Sequence, residues 1–565
     1  MQSSTRKEII QRLKSSPKIS VLIVGAGVNG IGTFRDLALQ GVDVLMVDRS
    51  DFCSGASAAS SHMVHGGIRY LENGEFRLVR EAVQERNRLI ENAPHLVNPL
   101  PTVFPIFKWF SGLLNAPLKF LGLLDRPAER GAIVIKIGMV FYDAFTSRQG
   151  TVPSHKFIGR DASLDKFPQL NPDIIFTGTY YDGSMPSPER ICMELIADAT
   201  QASPDALALN YVSLRGADSD VVTLQDELTG DEIVVEPQIV VNAAGPWIDF
   251  ANQRMGAETQ FIGGTKGSHL ILDHPELREA IGVHEFFFEN EDGRIVLIFP
   301  LLDKVMIGAS DIRIQDPDQA RCTEEEIDYF FGMLARVFPG IVADRSHIVF
   351  QFSGVRPLPY KAEGSTGQIS RDHSIVDGPS NAPYTFPVLS LVGGKWTSFR
   401  AFSEQVTDRV LSFLDRERLM HTRSLAIGGG TGYPKTDSER EAFVSQLAKS
   451  YPAQAERCDA LFARYGTKAQ QVLDFASATQ DNLVSDLSDY SQNEIEYLIN
   501  TEQVAHLDDL LLRRTVIAKL GFLTTVSLEA LAGIFGQVRG LSSAELDQEL
   551  ERTKAILADK HGVVI

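Results

Sequence analysis

A short β-branched run, Ile19 to Val24, ends in the hexapeptide Gly25-Ala-Gly-Val-Asn-Gly30, and no other feature narrows the fold as much. Strand residues lead straight into glycines, a helix pattern covers Asn29 to Gln40, and a second strand pattern covers Val42 to Val47. That order spells a βαβ unit. Gly25 permits the tight turn, Gly27 lets the backbone approach a pyrophosphate, and Gly30 lets the helix pack close to the strand. The helix N-terminus then turns its open N–H groups toward the phosphates. Asp48 closes the second strand at the spacing of an acid that hydrogen-bonds ribose hydroxyls. An ordinary glycine-rich turn would leave Asp48 unexplained.

The fingerprint occurs once. The glycine run at 428–432 has no strand leading into it and is followed by Pro434, so Ala426 to Pro434 is expected to be a linker. Two strand-then-glycine junctions lie far downstream, at 239–247 and 389–397. Distant segments that return to one nucleotide suit the longer FAD molecule better than NAD.

The chain has 565 residues, which calls for two or three domains. A net charge of -19 argues against a general nucleic-acid surface, but not against a small anionic substrate held by a few cations in one cleft. The four cysteines form no C-x-x-C pair, so neither a zinc site nor a disulfide framework is expected. They suit a reducing, cytoplasmic compartment. No signal peptide is visible, and residues 1–18 are expected to form a frayed or surface helix. No run is apolar enough to span a bilayer. The nearest, 103–124, is interrupted by Pro105, Lys108, Asn115, Pro117 and Lys119. It reads as buried core or a lid, or else as an interfacial element with Trp109 at headgroup level.

A helix is expected over 74–93, strands over 174–181, 206–214, 221–224, 233–235, 239–242, 268–272, 295–299, 304–308, 348–352 and 388–392, and helices almost throughout 438–565. Longer motifs punctuate this pattern. They are S-H-M-V-H-G-G-I-R-Y-L-E (61–72), A-P-H-L (93–96), N-A-A-G-P-W (242–247), K-G-S-H (266–269), I-G-A-S-D (307–311), S-G-V-R-P-L (353–358), S-R-D-H (370–373) and G-G-K-W-T-S-F-R (393–400). E-I-E-Y-L-I (494–499) and L-D-D-L-L-L-R-R-T (507–515) follow in the helical tail.

Over nearly its full length the chain resembles the FAD-dependent glycerol-3-phosphate dehydrogenase and oxidase family, within the D-amino-acid-oxidase-like flavoproteins. The resemblance implies an α/β fold with a Rossmann-type FAD-binding domain, an antiparallel-sheet substrate domain and an all-α C-terminal domain. The expected divisions are 19–100, 155–255 and 350–425 for the first, 101–154 and 256–349 for the second, and 426–565 for the third. It implies FAD contacts at Gly25, Gly27, Gly30, Asp48, Ser57, Ser61, His65, Gly66, Gly67, Val212, Ala243, Gly245, Gly394, Lys395 and Thr397. It further implies a phosphate-binding group of Arg69, Tyr70, Arg356, Arg371 and Lys395, since a dianion needs several cations. Ser310 would stand near the substrate, and His269 would take the C2 hydroxyl proton, with Arg356 as its rival for polarising that oxygen.

His62 stands where this family usually carries lysine, Ser187-Pro188-Glu189-Arg190 where it carries D-D-A-R, and Ser310 where it carries threonine. The expected reaction is oxidation of sn-glycerol 3-phosphate to dihydroxyacetone phosphate. Erythritol phosphate, an amine or amino acid, and a non-catalytic FAD-binding role stand as alternatives. Electrons would go to a membrane quinone or to oxygen. Peripheral contact with the inner face of the cell membrane and a homodimer are both left open.

Overall fold

The structure is a computed structural model that describes residues 5–67, 75–109, 135–136, 138–140, 142–143, 151–289, 295–360 and 372–565. Arg69, Tyr70, Arg371 and most of the apolar segment 103–124 lie outside those residues.

Two sheets organise the described residues. In the first, strands run in the order 373–377, 388–393, 232–242, 18–24, 44–47 and 206–209, and the last five are mutually parallel. The largely apolar, buried runs of Lys18–Val24, Val44–Val47 and Ala206–Leu209 reflect burial on both faces. Val24 is in register with both Val47 and Asn242, and Asn242 with Ser390, so Gly25, Asp48 and Ala243 emerge at one edge. The strand order departs in opposite directions from Lys18–Val24, which makes this edge a switch point, the place where open parallel sheets bind ligands. An antiparallel meander of Val212–Asp218 and Val221–Asp226 extends Glu232–Asn242.

The expected strand 206–214 is two elements. Tyr211 has φ of +52°, and the chain leaves the parallel sheet there to enter the meander. Apolar residues on both sides of Asn210 concealed that corner.

The second sheet has ten strands, antiparallel apart from the pair Asn98–Ile106 and Glu285–Glu289. It recruits Lys156–Gly159, Phe176–Ser184 and all but the first two residues of Ile348–Arg356 from the stretches expected for the FAD domain. Alternating side chains tell which face of a strand is buried, not which sheet it joins. Val103 and Ile106 are buried in this sheet, so the start of the apolar segment is core, whereas Trp109 just beyond is 52% exposed.

Helix Val28–Leu39 buries Ile31, Phe34 and Leu37 between the first sheet and helix Phe399–Phe413. The N-terminal helix Arg6–Ser15 is docked rather than frayed. Thr5 and Glu8 form its capping box, Ile9 and Leu13 are buried, and Arg6 donates to the Asn210 carbonyl (2.5 Å) and Asp226 Oδ1 (2.6 Å).

The tail is helical from Asp437–Ser450 to Ser543–His561. At its centre Glu494, fully buried, accepts from Arg464 (2.9 Å) and the Tyr465 hydroxyl (2.8 Å). The segment expected as a linker is instead a packed seam. Gly428 and Gly429 are buried, and a Cβ on Gly429 or Gly430 would collide with the Tyr465 or Asn92 carbonyl. Here glycine serves close approach, not flexibility.

Polar contacts weld the tail to the first sheet. Buried Asp51 accepts from Arg513 Nε (2.5 Å), from Arg514 Nη1 (2.7 Å) and Nη2 (2.8 Å), and from Asn210 (2.9 Å). Burial alone would raise its carboxyl, but Arg514 and Arg513 hold it well below the usual range. The Tyr211 hydroxyl donates to Asp509 (2.6 Å). The departure at Ser187–Arg190 has its account here: Pro188 opens a helix, Glu189 meets Lys519 (2.7 Å), and Arg190 meets Glu502 (2.5 Å).

Candidate flavin and substrate site

The cradle begins at Gly25, whose φ of +107° disfavours any L side chain; a Cβ there would lie 2.6 Å from the Ala243 carbonyl oxygen. The motifs around Gly25 and Ala243 therefore meet by backbone contact. A Cβ on Gly30 would collide with the Gly25 carbonyl, as close helix packing requires. Gly27 caps helix Val28–Leu39 with no side-chain hydrogen bond, and the Ser57 hydroxyl accepts from the Val28 N–H (2.9 Å).

Asp48 accepts from the N–H groups of Ala26 (2.7 Å) and Ser50 (2.9 Å). Burial pushes its carboxyl up to about 6 against those donors. The Val212 N–H is taken by the Asp48 carbonyl (2.7 Å), and Gly245 has φ of +56°.

Opposite this turn, Gly393 and Gly394 have φ of +77° and +93° and bring Lys395 to the start of helix Phe399–Phe413. A Cβ on Gly394 would lie 2.9 Å from Asn29 Nδ2. Asn29 was not singled out from the sequence. Its Oδ1 is buried without a hydrogen-bond partner among the described residues, as in a cradle built around a polar group. Thr397 joins this region to His65, accepting from its N–H (3.1 Å) and donating to its carbonyl (3.1 Å). These positive-φ turns and open helix ends fit a dinucleotide that lies across the switch point.

The second sheet comes to meet it. A Cβ on Gly354 would sit 2.5 Å from the Ala59 carbonyl, so segment 57–61 lies directly on that strand. Ser61 Oγ then reaches His269 Nε2 at 2.9 Å. His269 is buried and stacks on Phe352 at 4.9 Å, in register with it across the sheet. Burial and the Arg356 guanidinium push its imidazole down to about 3. Arg356 lies over Gly267, where a Cβ would strike its guanidinium, and donates to Asp311 Oδ1 (3.2 Å) and the Ser310 carbonyl (3.1 Å).

The structure thus gathers the expected residues into three touching groups. The first is Gly25, Gly27, Gly30, Asp48, Ser57, Ala243 and Gly394, the second His65 to Gly67 with Thr397, and the third Ser61, His269 and Arg356. Ser310 belongs to another circle. Its hydroxyl donates to Glu326 and accepts from the Ser268 N–H (2.9 Å), and Lys266 also reaches Glu326 (2.7 Å). Its serine hydroxyl therefore props the strand beneath Arg356. Nor is His62 turned to a ligand: its ring nitrogens lie 3.1 Å from the Pro186 carbonyl and 3.2 Å from that of Ala58. Asp311, the partner of Arg356, had no signal beyond its place in I-G-A-S-D.

Geometry and motif together define a two-sheet flavoprotein of the oxidoreductase class. The family described as FAD dependent oxidoreductase matches residues 20–390, and the C-terminal domain of alpha-glycerophosphate oxidase matches 420–546. The chain belongs to the FAD-dependent oxidoreductase family, and FAD is its cofactor. It is 31% identical over 558 residues to the glycerol-3-phosphate dehydrogenase of Synechocystis sp., covering 94% of this chain and 95% of that one. It is 28% identical over 506 residues to the D-erythritol 1-phosphate dehydrogenase of Brucella abortus, covering 88% and 93%. The FAD-bound glycerol-3-phosphate dehydrogenase of Bacillus halodurans has the same fold, with a TM-score of 0.74 and 22% identity over 99% of this chain and 98% of that one.

Proposed function

We propose that the chain oxidises the C2 hydroxyl of sn-glycerol 3-phosphate to the ketone of dihydroxyacetone phosphate. The observation that carries this reading is His269, buried and stacked at the contact between segment 57–61 and the second sheet, with its Nε2 in hydrogen-bond reach of a hydroxyl. Burial and the neighbouring Arg356 make this imidazole a weak base, so it takes the proton only as the hydride leaves, and the geometry at Nε2 carries the assignment. Ser61 Oγ, 2.9 Å from Nε2, marks where a hydroxyl binds that nitrogen. As Nε2 takes the C2 hydroxyl proton, the positive charge of Arg356 favours the negative charge that develops on the oxygen. When bound, FAD supplies the two-electron oxidant that takes the C2 hydrogen as hydride, and its electrons pass on to a membrane quinone or to oxygen.

Arg69, Tyr70, Arg371 and Lys395 remain our candidates for the phosphate, from their motifs. Similarity to an erythritol phosphate dehydrogenase makes the four-carbon substrate the second reading. Among the described residues no helix is long and apolar enough to cross a membrane. We propose peripheral contact through Trp109 and the segment after it.

Anaerobic titration of the FAD-loaded protein tests the reaction. Bleaching by sn-glycerol 3-phosphate with formation of dihydroxyacetone phosphate supports it. Bleaching only by D-erythritol 1-phosphate would transfer the assignment to the longer polyol, and bleaching by neither would end it.

A further inference from the structure

The described chain holds a second built feature behind the flavin turn. Asp182, on strand Phe176–Ser184, is fully buried. Its Oδ1 accepts from the Gly66 N–H (2.9 Å), the Tyr142 hydroxyl (2.6 Å) and Arg86 Nη1 (3.3 Å). Arg86 is also fully buried and donates to the Tyr142 hydroxyl (2.8 Å) and the Tyr181 carbonyl (2.6 Å). A Cβ on Gly66 would collide with the Tyr142 hydroxyl.

The strand ladder explains why Gly66 needs such an anchor. Met63 and Val64 pair with Ser184 and Gly183, and there the pairing ends. The next two N–H groups turn outward. That of His65 goes to Thr397, beside the first sheet, and that of Gly66 to Asp182, in the second. Burying a carboxylate and a guanidinium is costly, and an ion pair of this kind is weak evidence for stability by itself. What the arrangement secures is the position of one backbone amide.

We infer that Asp182 is a positioning residue for the flavin turn His65–Gly67, acting through the Gly66 N–H, with Arg86 and Tyr142 holding its carboxylate in place. This inference rests on the reading that the turn runs beside the flavin. Asp182 acts through the backbone of the turn, with its Oδ1 taken up by Gly66, Tyr142 and Arg86. It fixes the turn from behind, so that the backbone facing the flavin cannot drift. Misplacement by about an ångström at such a site costs on the order of a hundredfold in rate.

The test uses FAD-loaded wild type, Asp182→Ala, Asp182→Asn and Gly66→Ala. It reads FAD per chain, hydrogen exchange of the peptide spanning residues 62–67, and anaerobic reduction by sn-glycerol 3-phosphate. Asp182→Ala should keep its FAD, raise exchange in that peptide, and slow reduction at saturating substrate by roughly ten- to a hundredfold with substrate affinity little changed. Asp182→Asn retains an acceptor oxygen and should recover most of both properties. Wild-type exchange and reduction in Asp182→Ala would overturn the inference. Should that variant not fold, Tyr142→Phe replaces it, with raised exchange expected and unchanged exchange overturning. Gly66→Ala separates the two levels. Slow reduction there beside a normal Asp182→Ala condemns only the role of Asp182. Normal reduction in both condemns the flavin-facing reading of the turn.

Discussion

Ser61 lies in the loop that follows the dinucleotide turn and His269 on a strand of the second sheet, and their side chains meet at 2.9 Å. That contact joins the segment that follows the dinucleotide turn to the strand expected to carry the base. His269→Asn should lower the rate of flavin reduction by about 10²- to 10⁴-fold while leaving FAD bound. Ser61→Ala should cost less, since the imidazole stays stacked on Phe352. Stopped-flow reduction checks both, and an unimpaired His269→Asn would remove the histidine from the chemistry.

The same histidine fixes a pH expectation. Its imidazole lies at about 3 and that of His561 at about 4, both depressed chiefly by burial. Unfolded, each titrates near the ordinary value of about 6.5. Between those limits the unfolded chain binds protons that the fold refuses, so stability falls as pH drops below about 6.5, by up to ~1.4 kcal/mol per pH unit for each histidine. His561 stacks on Phe350 and bonds the Gln351 carbonyl, away from the chemistry. His561→Asn should therefore flatten the acid slope of urea midpoints measured between pH 4 and 6.5. An unchanged slope would contradict the assignment.

Arg514→Ala tests the weld between tail and nucleotide sheet. It leaves buried Asp51 with Arg513 and Asn210 alone. Breaking a buried pair costs about 3–5 kcal/mol, so the variant should melt well below wild type and release FAD more readily. Thermal melting followed by flavin fluorescence reads both at once.

Gly25→Ala would place a Cβ against Ala243 on a backbone of φ +107°. The variant should purify without yellow colour, and full FAD occupancy would contradict the cradle.

Trp109→Glu addresses the membrane. If the half-exposed indole, packed edge-on against Phe176, helps seat the protein on lipid, the wild type should co-sediment with anionic vesicles and the variant should not. Equal sedimentation would count against that role.

What could be read from the sequence and what could not divides along physical lines. Gly25, Gly27 and Gly30 were legible because a tight backbone approach admits only glycine at fixed spacing. The same residue misled at 428–430, where tertiary packing against Tyr465 and Asn92 demands it and no local pattern says so. His269 and Arg356 were found through their motifs, but their nearness to Ser61 arises from Gly354 lying against Ala59, a contact between the loop at 57–61 and a strand of the second sheet. Asp182 and Arg86 carried no signal at all. A lone aspartate in a strand and a lone arginine in a helix look like surface charges until burial brings them together.

The pairing of Asp51 with Arg513 and Arg514 also sets an order of events during synthesis. The nucleotide turn is made before Val388–Gly393, which completes the parallel sheet that frames it, and the charge on Asp51 is unanswered until Arg513 and Arg514 follow. The weld between tail and nucleotide sheet can therefore close only after every strand of that sheet is in place.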